Sequence, residues 1–298
     1  MTRWIMKNIV TRIGRSVRTK LLYNQDINDI GHILRSQLAL ETQIHATRLN
    51  CYERDILKEE RYSDPKKLNH YEQRVFSQFG EDGIIAEIFR RIGPQSKTFL
   101  EIGVADGSEN NSAFLLLQGW SGYWIEGDEA HVDRIHRNFK SPLSRGDLKV
   151  VQSFVTAENI KSTLQNLDVP DDIDLLSLDI DRNTYQLWVA LSHLKSRVIV
   201  VEYNAGIPAD VNWKVDYHAD RWWNGTSYYG ASLKAYEGLG RSLGYSLVGC
   251  NLVLELRSIF ALGEVALRTP SVSEWAKTTA CRLRPGFALP QHTTRFEH

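Results

Sequence analysis

The chain is poor in cysteine, lacks any charge imbalance and contains no long apolar run. Its three cysteines, Cys51, Cys250 and Cys281, are an odd number, far apart, with no Cys-x-x-Cys pair. They fit neither a disulfide framework nor a zinc site, and they suit a reducing cytosol. Thirty-six basic residues cancel 36 acidic ones, so no global field argues for nucleic acid as a partner. No apolar stretch approaches the ~18 residues that a membrane span needs, and a cytoplasmic protein is expected. The pyrophosphate-binding Gly-x-Gly-x-x-Gly pattern is also missing, and with it the usual sign of a dinucleotide fold. What is present is ordinary globular composition, 42% hydrophobic and 24% charged over 298 residues. That is enough for one sizeable core and an accessory element.

Charge is even overall but not locally. Residues 1 to 25 hold Arg3, Lys7, Arg12, Arg15, Arg18 and Lys20 and no acid, while Ile5, Ile9, Ile13 and Val17 recur every fourth residue. This predicts an amphipathic helix. It can lie on the anionic inner face of a membrane, dock on the main domain, pair with a second copy in a homo-oligomer, or serve as an import presequence. A second helical segment is expected from about Ile27 to Lys58, followed by a linker at Ser63-Asp-Pro-Lys-Lys67. The expected division is a helical extension over 1–70, a main domain over 71–265 and a tail over 266–298.

From Tyr71 the pattern alternates. A short helix is expected from Glu81 to Arg91, closed at Gly93-Pro94. Apolar strands follow at Thr98–Ile102, Tyr123–Glu126, Lys149–Ser153, Leu175–Asp179 and Val198–Glu202, with helical stretches between them. Five such strands argue for an α/β fold, a parallel sheet covered on both faces. Tyr245–Gly249 and Asn251–Leu256 are expected to close it as a hairpin. Ligands bind beyond the carboxyl ends of such strands, and Glu101, Glu126, Ser153, Asp179 and Glu202 all fall there.

The richest stretch is Phe99-Leu-Glu-Ile-Gly-Val-Ala-Asp-Gly-Ser108. Gly103 and Gly107 remove side chains where the chain must turn between strand and helix. Glu126 ends the next strand twenty-three residues beyond Gly103, a position suited to the two hydroxyls of a cofactor ribose. An acid at the first position of the loop, Glu101, would repel a pyrophosphate but can accept hydrogen bonds from an ammonium. S-adenosylmethionine carries an ammonium and a sulfonium and no phosphate. The plainer reading is an ordinary strand-turn-helix.

Glu101-x-Gly103, Glu126 and Asp179-Ile-Asp181 resemble a class I S-adenosylmethionine-dependent methyltransferase with a Rossmann-like sheet. More narrowly, Ser77-Gln-Phe-Gly-Glu-Asp-Gly83, Val201-Glu-Tyr-Asn204 and Trp223-Asn-Gly-Thr-Ser-Tyr-Tyr-Gly-Ala-Ser232 resemble its FkbM-like branch, common among bacterial glycan-biosynthesis proteins. Asp181-Arg-Asn183 stands where that branch has Asp-Gly-Asn. The resemblance covers roughly residues 71 to 250. It implies that S-adenosylmethionine is held by Ser77, Gln78, Glu101, Gly103, Asp106, Gly107, Asn111, Glu126, Ser153, Phe154 and Asp179. Phe154 and Val155 follow the third strand, where such a sheet meets the adenine; both can equally be core.

Asp179 and Asp181 end the fourth strand, and Glu202 and Asn204 the fifth. Neighbouring strand ends lie roughly 5 Å apart, so these oxygens can converge on magnesium or calcium rather than zinc. Alternatively Asp179 touches the cofactor and Glu202 a backbone amide or Arg182. The segment Asp210–Ser232 carries Trp213, Tyr217, Trp222, Trp223, Tyr228 and Tyr229, flat rings with polar tips that suit a sugar. Arg182, Asn204, Trp223, Asn224, Tyr228 and Tyr229 are the expected substrate contacts. His218 is the expected general base with Asp179 and Asp181 beside it, or else a plain surface histidine. The function expected is O-methylation of a sugar hydroxyl on a glycan or sugar-nucleotide precursor. The alternatives are a small non-sugar acceptor, or a non-catalytic binding protein on the same fold.

Overall fold

The computed structural model describes residues 51–252 and 257–262, with isolated positions between 36 and 48. The chain divides into two units, Met1–Lys58 and Glu59–His298. In the first, the described positions between 36 and 56 are helical, as the apolar stripe predicts. The basic helix expected over 1–22 and the tail over 266–298 lie outside the described residues. Among the described residues no helix is long and apolar enough to cross a membrane.

The second unit begins with two 3-10 turns, Glu60–Tyr62 and Leu68–Tyr71, on either side of the exposed Ser63–Lys67 turn. Leu68 is buried in the core, and Asn69 Nδ2 donates to the Cys250 carbonyl (2.7 Å), so this segment belongs to the sheet's body. Helix α1 (Glu81–Ile92) follows. Its first turn is set by the Asp82 carboxylate, which accepts the amides of Val75, Phe76 and Ser77 at 2.7–2.8 Å. Ser77 Oγ in turn accepts the Asp82 amide at 3.0 Å. Gly80, at φ +99°, supplies the left-handed residue the turn needs, and Gly93 ends the helix.

The remaining elements are β1 (Thr98–Ile102), α2 (Ala113–Leu117), β2 (Ser121–Glu126), α3 (Glu129–Asn138), α4 (Lys140–Arg145), β3 (Leu148–Gln152), α5 (Ile160–Asn166), β4 (Asp172–Leu178), α6 (Thr184–Ala190), β5 (Lys195–Glu202), α7 (Leu233–Ser242), β6 (Tyr245–Cys250) and β7 (Arg257–Leu262). They form one sheet in the order β3-β2-β1-β4-β5-β7-β6. Strands β1 to β5 pair in parallel, and β7 runs antiparallel to both β5 and β6. This is a Rossmann-like, mostly parallel sheet closed by an antiparallel hairpin. Order reverses between β1 and β4, which opens a crevice at their carboxyl ends.

Alternation along the buried strands feeds two cores. Phe99, Val198 and Val200 pack with Ile84, Ile88 and Trp124 on one face. Leu100, Ile102, Ile199 and Val201 pack with Trp188, Tyr236 and Phe260 on the other. The closing hairpin is present, but its second strand lies at Arg257–Leu262 rather than at Asn251–Leu256. The reason is packing: Ile259, Phe260 and Ala261, all fully buried, are what fits between β5 and β6.

At the amino-terminal edge, fully buried Asp174 closes the sheet. Its carboxylate accepts the amides of Gln95, Ser96 and Lys97 at 2.7–3.1 Å, and Arg197 Nη1 at 3.2 Å. Truncation leaves three amides and a guanidinium without their acceptor. Asp174→Ala is expected to cost about 3 kcal/mol or more, read as a lower urea midpoint with an unchanged slope.

Candidate functional site

The crevice is built where four strands, β3, β2, β1 and β4, end side by side. The ladder continues past the strands: Gly103 N donates to Ile125 O (2.9 Å), Asp179 N to Ile102 O (2.9 Å) and Ser153 N to Glu126 O (2.8 Å). Gly103 has φ +81°, and a Cβ there would sit 1.8 Å from the Asp179 carbonyl oxygen. Its glycine is therefore required by the crossing of β1 and β4, not only by a ligand. Gly107, at φ +80°, makes the turn expected of it and has a second role. A Cβ there would meet the rings of Phe139 and Trp124 at 2.7 and 2.8 Å, so this glycine serves aromatic packing beneath the loop.

Glu101 is also redirected. It is 1% exposed. Oε1 accepts Asn111 N (2.9 Å) and Ser177 Oγ (3.0 Å), while Oε2 accepts Ser112 N (3.0 Å) and the Ser112 hydroxyl, which is itself held by Trp124 Nε1 (2.8 Å). The carboxylate that sequence reading offers to a ligand ammonium is engaged in holding the loop. Asn111, expected at the cofactor, is likewise buried, its Nδ2 on Ser177 Oγ (3.0 Å). The amide of Ala113, at the head of α2, is held by Asn110 Oδ1 (2.9 Å). The donors that would receive a pyrophosphate there already hold acceptors of the chain itself.

Glu126 keeps its expected place. At the tip of β2, its Oε2 accepts Ala105 N (2.8 Å), its Oε1 accepts Asp128 N (3.0 Å), and His131 Nδ1 stands 3.6 Å away. Ala105 has φ +47° without being glycine, a strained backbone of the kind found at ligand-facing loops. Asp106 turns along the loop to Ser108 and toward Arg134 Nε (3.5 Å); the Ser108 hydroxyl above all holds its carboxyl below the usual range. Ser77 is buried in the α1 turn and Gln78 is exposed. Phe154 is 51% exposed, whereas Val155 enters the core.

At the ends of β4 and β5, one carboxylate oxygen each of Asp179, Asp181 and Glu202 lies within 4.8 Å of the others. Asp181 is exposed and held at φ +55°. Behind them the Tyr236 phenol, fully buried, is pushed well above its ordinary value by burial first, then by Glu202 and Asp179. Asn204 does not join this group. Its Nδ2 holds the Ser227 and Tyr229 carbonyls (2.8 and 3.0 Å) and its Oδ1 accepts Gly206 N (3.1 Å).

Arg182, expected to touch substrate, brackets the loop. Buried, it lies 5.3 Å from the centre of the Tyr228 ring and donates to Asp216 O (3.2 Å). Asn183, which sequence reading passed over, holds the His218 and Arg221 carbonyls (2.9 and 3.2 Å). Together they clamp the loop 205–231 onto the β4–α6 turn. His218 itself is exposed. Trp223 and Tyr228 are 42% and 45% exposed, with Trp223 against Tyr229 and Tyr228 against Trp213. Asn224 Oδ1 accepts the Thr226 hydroxyl (2.7 Å) within the loop.

No protein-family model and no curated protein matches this chain. Among solved structures it is similar to one described as a caffeoyl-CoA O-methyltransferase from Staphylococcus aureus, 14% identical over 64% of this chain and 86% of that one, TM-score 0.45. Another, described as an O-methyltransferase from Klebsiella pneumoniae, is 13% identical over 72% and 96%, TM-score 0.44. The N-terminal domain of EvdMO1 with SAH bound is 14% identical over 61% and 80%, TM-score 0.39. Likenesses this distant do not carry the assignment of fold, which rests on strand order and the antiparallel β7.

The loop clamp is testable. Arg182→Met removes the stacked cation and its carbonyl contacts, worth about 1–2 kcal/mol. Trypsin cleavage after Lys214 or Arg221 should accelerate about tenfold, with the melting of the sheet nearly unchanged.

Proposed function

We propose that this chain is a class I S-adenosylmethionine-dependent O-methyltransferase acting on a sugar hydroxyl of a glycan or its activated precursor. The observation that carries the cofactor half is the pairing of Glu101 and Glu126. Glu101 occupies the amides at the head of α2 with a carboxylate of the chain, which disfavours a phosphate-bearing cofactor. Glu126, 9% exposed and holding the Ala105 and Asp128 amides, stands at the tip of β2, where the second lone pair of each oxygen can accept from a ribose diol. A nucleoside cofactor without phosphate satisfies both. The sugar half is supported by the exposed aromatic faces of Trp223 and Tyr228 on a loop clamped to the acidic strand ends, and by the FkbM-like motifs. On this reading the protein works in the cytoplasm, and the basic segment over 1–25 joins copies or meets the inner membrane face.

In the transfer, the acceptor oxygen forms the new O–CH3 bond while the S–CH3 bond breaks, and its electron pair stays on sulfur as a neutral thioether. The hydroxyl proton passes to a carboxylate at Asp181, with His218 on the clamped loop as the relay to solvent. The chain's share is alignment and electrostatics. Three carboxylates this close repel one another, and an all-oxygen set without His or Cys fits a hard divalent cation such as magnesium. Asp179, Asp181 and Glu202 would hold it; Asn204, engaged with the loop, would not. Bound there, such an ion lowers the pKa of a coordinated hydroxyl.

Titration calorimetry with S-adenosylmethionine tests the cofactor. Glu126→Ala should weaken binding about ten- to a hundredfold, since a charge-assisted hydrogen bond contributes about 1.5–3 kcal/mol. Equal affinity in a folded variant would refute the site. A chelator should abolish methyl transfer to a sugar acceptor yet leave cofactor binding intact, with magnesium restoring turnover. Glu202→Ala should behave like the chelated enzyme, while His218→Ala lowers turnover and keeps the metal requirement. Full turnover in chelator removes the metal from the proposal and leaves the carboxylates as bases.

A further inference from the structure

A carboxylate offers two lone pairs on each oxygen. On Glu126 the Ala105 amide takes one at Oε2 (2.8 Å) and the Asp128 amide one at Oε1 (3.0 Å), which leaves one on each oxygen for a ribose diol. Oε1 also has a neighbour that can compete for it. Helix α3 begins three residues beyond Glu126 and is capped by Asp128, whose Oδ1 accepts the amides of Ala130 (2.7 Å) and His131 (3.1 Å). The His131 ring of this first turn lies back against the strand tip, with Nδ1 3.6 Å from Glu126 Oε1. Nδ1 is shielded from water and makes no hydrogen bond, although the side chain as a whole is 27% exposed.

The two charge states of this ring act differently on Oε1. A neutral imidazole can keep its proton on Nε2 and leave the carboxylate oxygen to a ligand, whereas the cation must carry a proton on Nδ1 as well. A movement of under ~1 Å then brings that N–H to charge-assisted hydrogen-bond distance of Oε1. The charged groups around the ring are Glu126 on β2, Asp128 at the cap and Asp106 on the loop after β1, against Arg134 one turn further along α3. Arg134 is directed to Asp106, Nε to Oδ2 at 3.5 Å, and its charge is fixed at any ordinary pH. That leaves His131 as the group whose charge changes between about pH 5 and 8. We propose that His131 is a proton-operated switch on the ribose subsite: the charged ring claims Glu126 Oε1, and the cofactor binds by displacing its proton. This rests on the cofactor reading and adds a control to it. The sign follows from the proton count. The free protein holds more protons than the complex, so affinity is full above the histidine's range and falls below it, by at most about tenfold per pH unit for one linked proton.

S-adenosylhomocysteine is the probe, titrated calorimetrically into the full chain at about pH 6 and about pH 8. Each titration is run in two buffers of different ionisation enthalpy, so that the heats count protons. Wild-type Kd should be about tenfold weaker at the lower pH, where binding should release close to about one proton. His131→Gln keeps a polar side chain of similar reach without the charge. It should bind with one affinity at both pH values, within about twofold of wild type at the higher pH, and release no proton. His136→Gln, exposed on the same helix, should retain the full pH dependence. A merely structural His131 would weaken binding equally at both pH values and leave the proton release in place. If His131→Gln keeps the pH dependence, or wild-type protein shows none, the switch is wrong and the cofactor reading survives. If wild-type protein binds no probe at either pH, the cofactor reading falls and the switch with it.

Discussion

The loop between β1 and α2, at the carboxyl edge of the sheet, depends on one buried charge, the Glu101 carboxylate. At 1% exposure it would be intolerable without partners, since burying an unpaired ion costs several kcal/mol. It is kept by two backbone amides and two hydroxyls, and those bonds draw the head of α2, the β4 strand and the Trp124 side chain to one point. The loop from Gly103 to Ser112 is thereby shaped before any ligand arrives. The same interaction decides the chemistry: amides that hold a carboxylate of the chain are not offered to a phosphate.

The opposite wall of the crevice is organised on a different principle. There the charges are exposed or half-buried, and Asp179, Asp181 and Glu202 converge within 4.8 Å of one another. Their neutral neighbours, Asn183 and Asn204, and the cation Arg182 all turn away toward the loop 205–231 and hold its carbonyls. One group of side chains fastens the loop while the other gathers at the strand ends. A long loop held this way can be rigid without secondary structure of its own.

The two walls meet through the loop. Tyr217 and Trp222 bring its far side to the segment after β3, so a chain leaving β5 reaches across the carboxyl edge of the sheet.

The strands, the helix at Glu81 and the carboxyl-end placement of Glu126, Asp179 and Glu202 were legible in the sequence. Apolar periodicity and glycine punctuation report backbone state residue by residue, and strand ends follow from that. The second hairpin strand was misplaced by six residues, because alternation in Asn251–Leu256 looks the same as in a strand, and only the slot between β5 and β6 selects Ile259, Phe260 and Ala261. Side-chain direction was not legible at all. Glu101, Asn111, Arg182 and Asn204 have residue types that suit ligands as well as they suit orphaned backbone groups. Which use prevails depends on which amides and carbonyls the fold leaves unpaired nearby. Composition and spacing alone determined a two-faced α/β sheet with acids at one edge. Which of those acids face the crevice and which hold it together was decided by the tertiary structure, because a buried charge must take whatever partners the packing brings within hydrogen-bond reach.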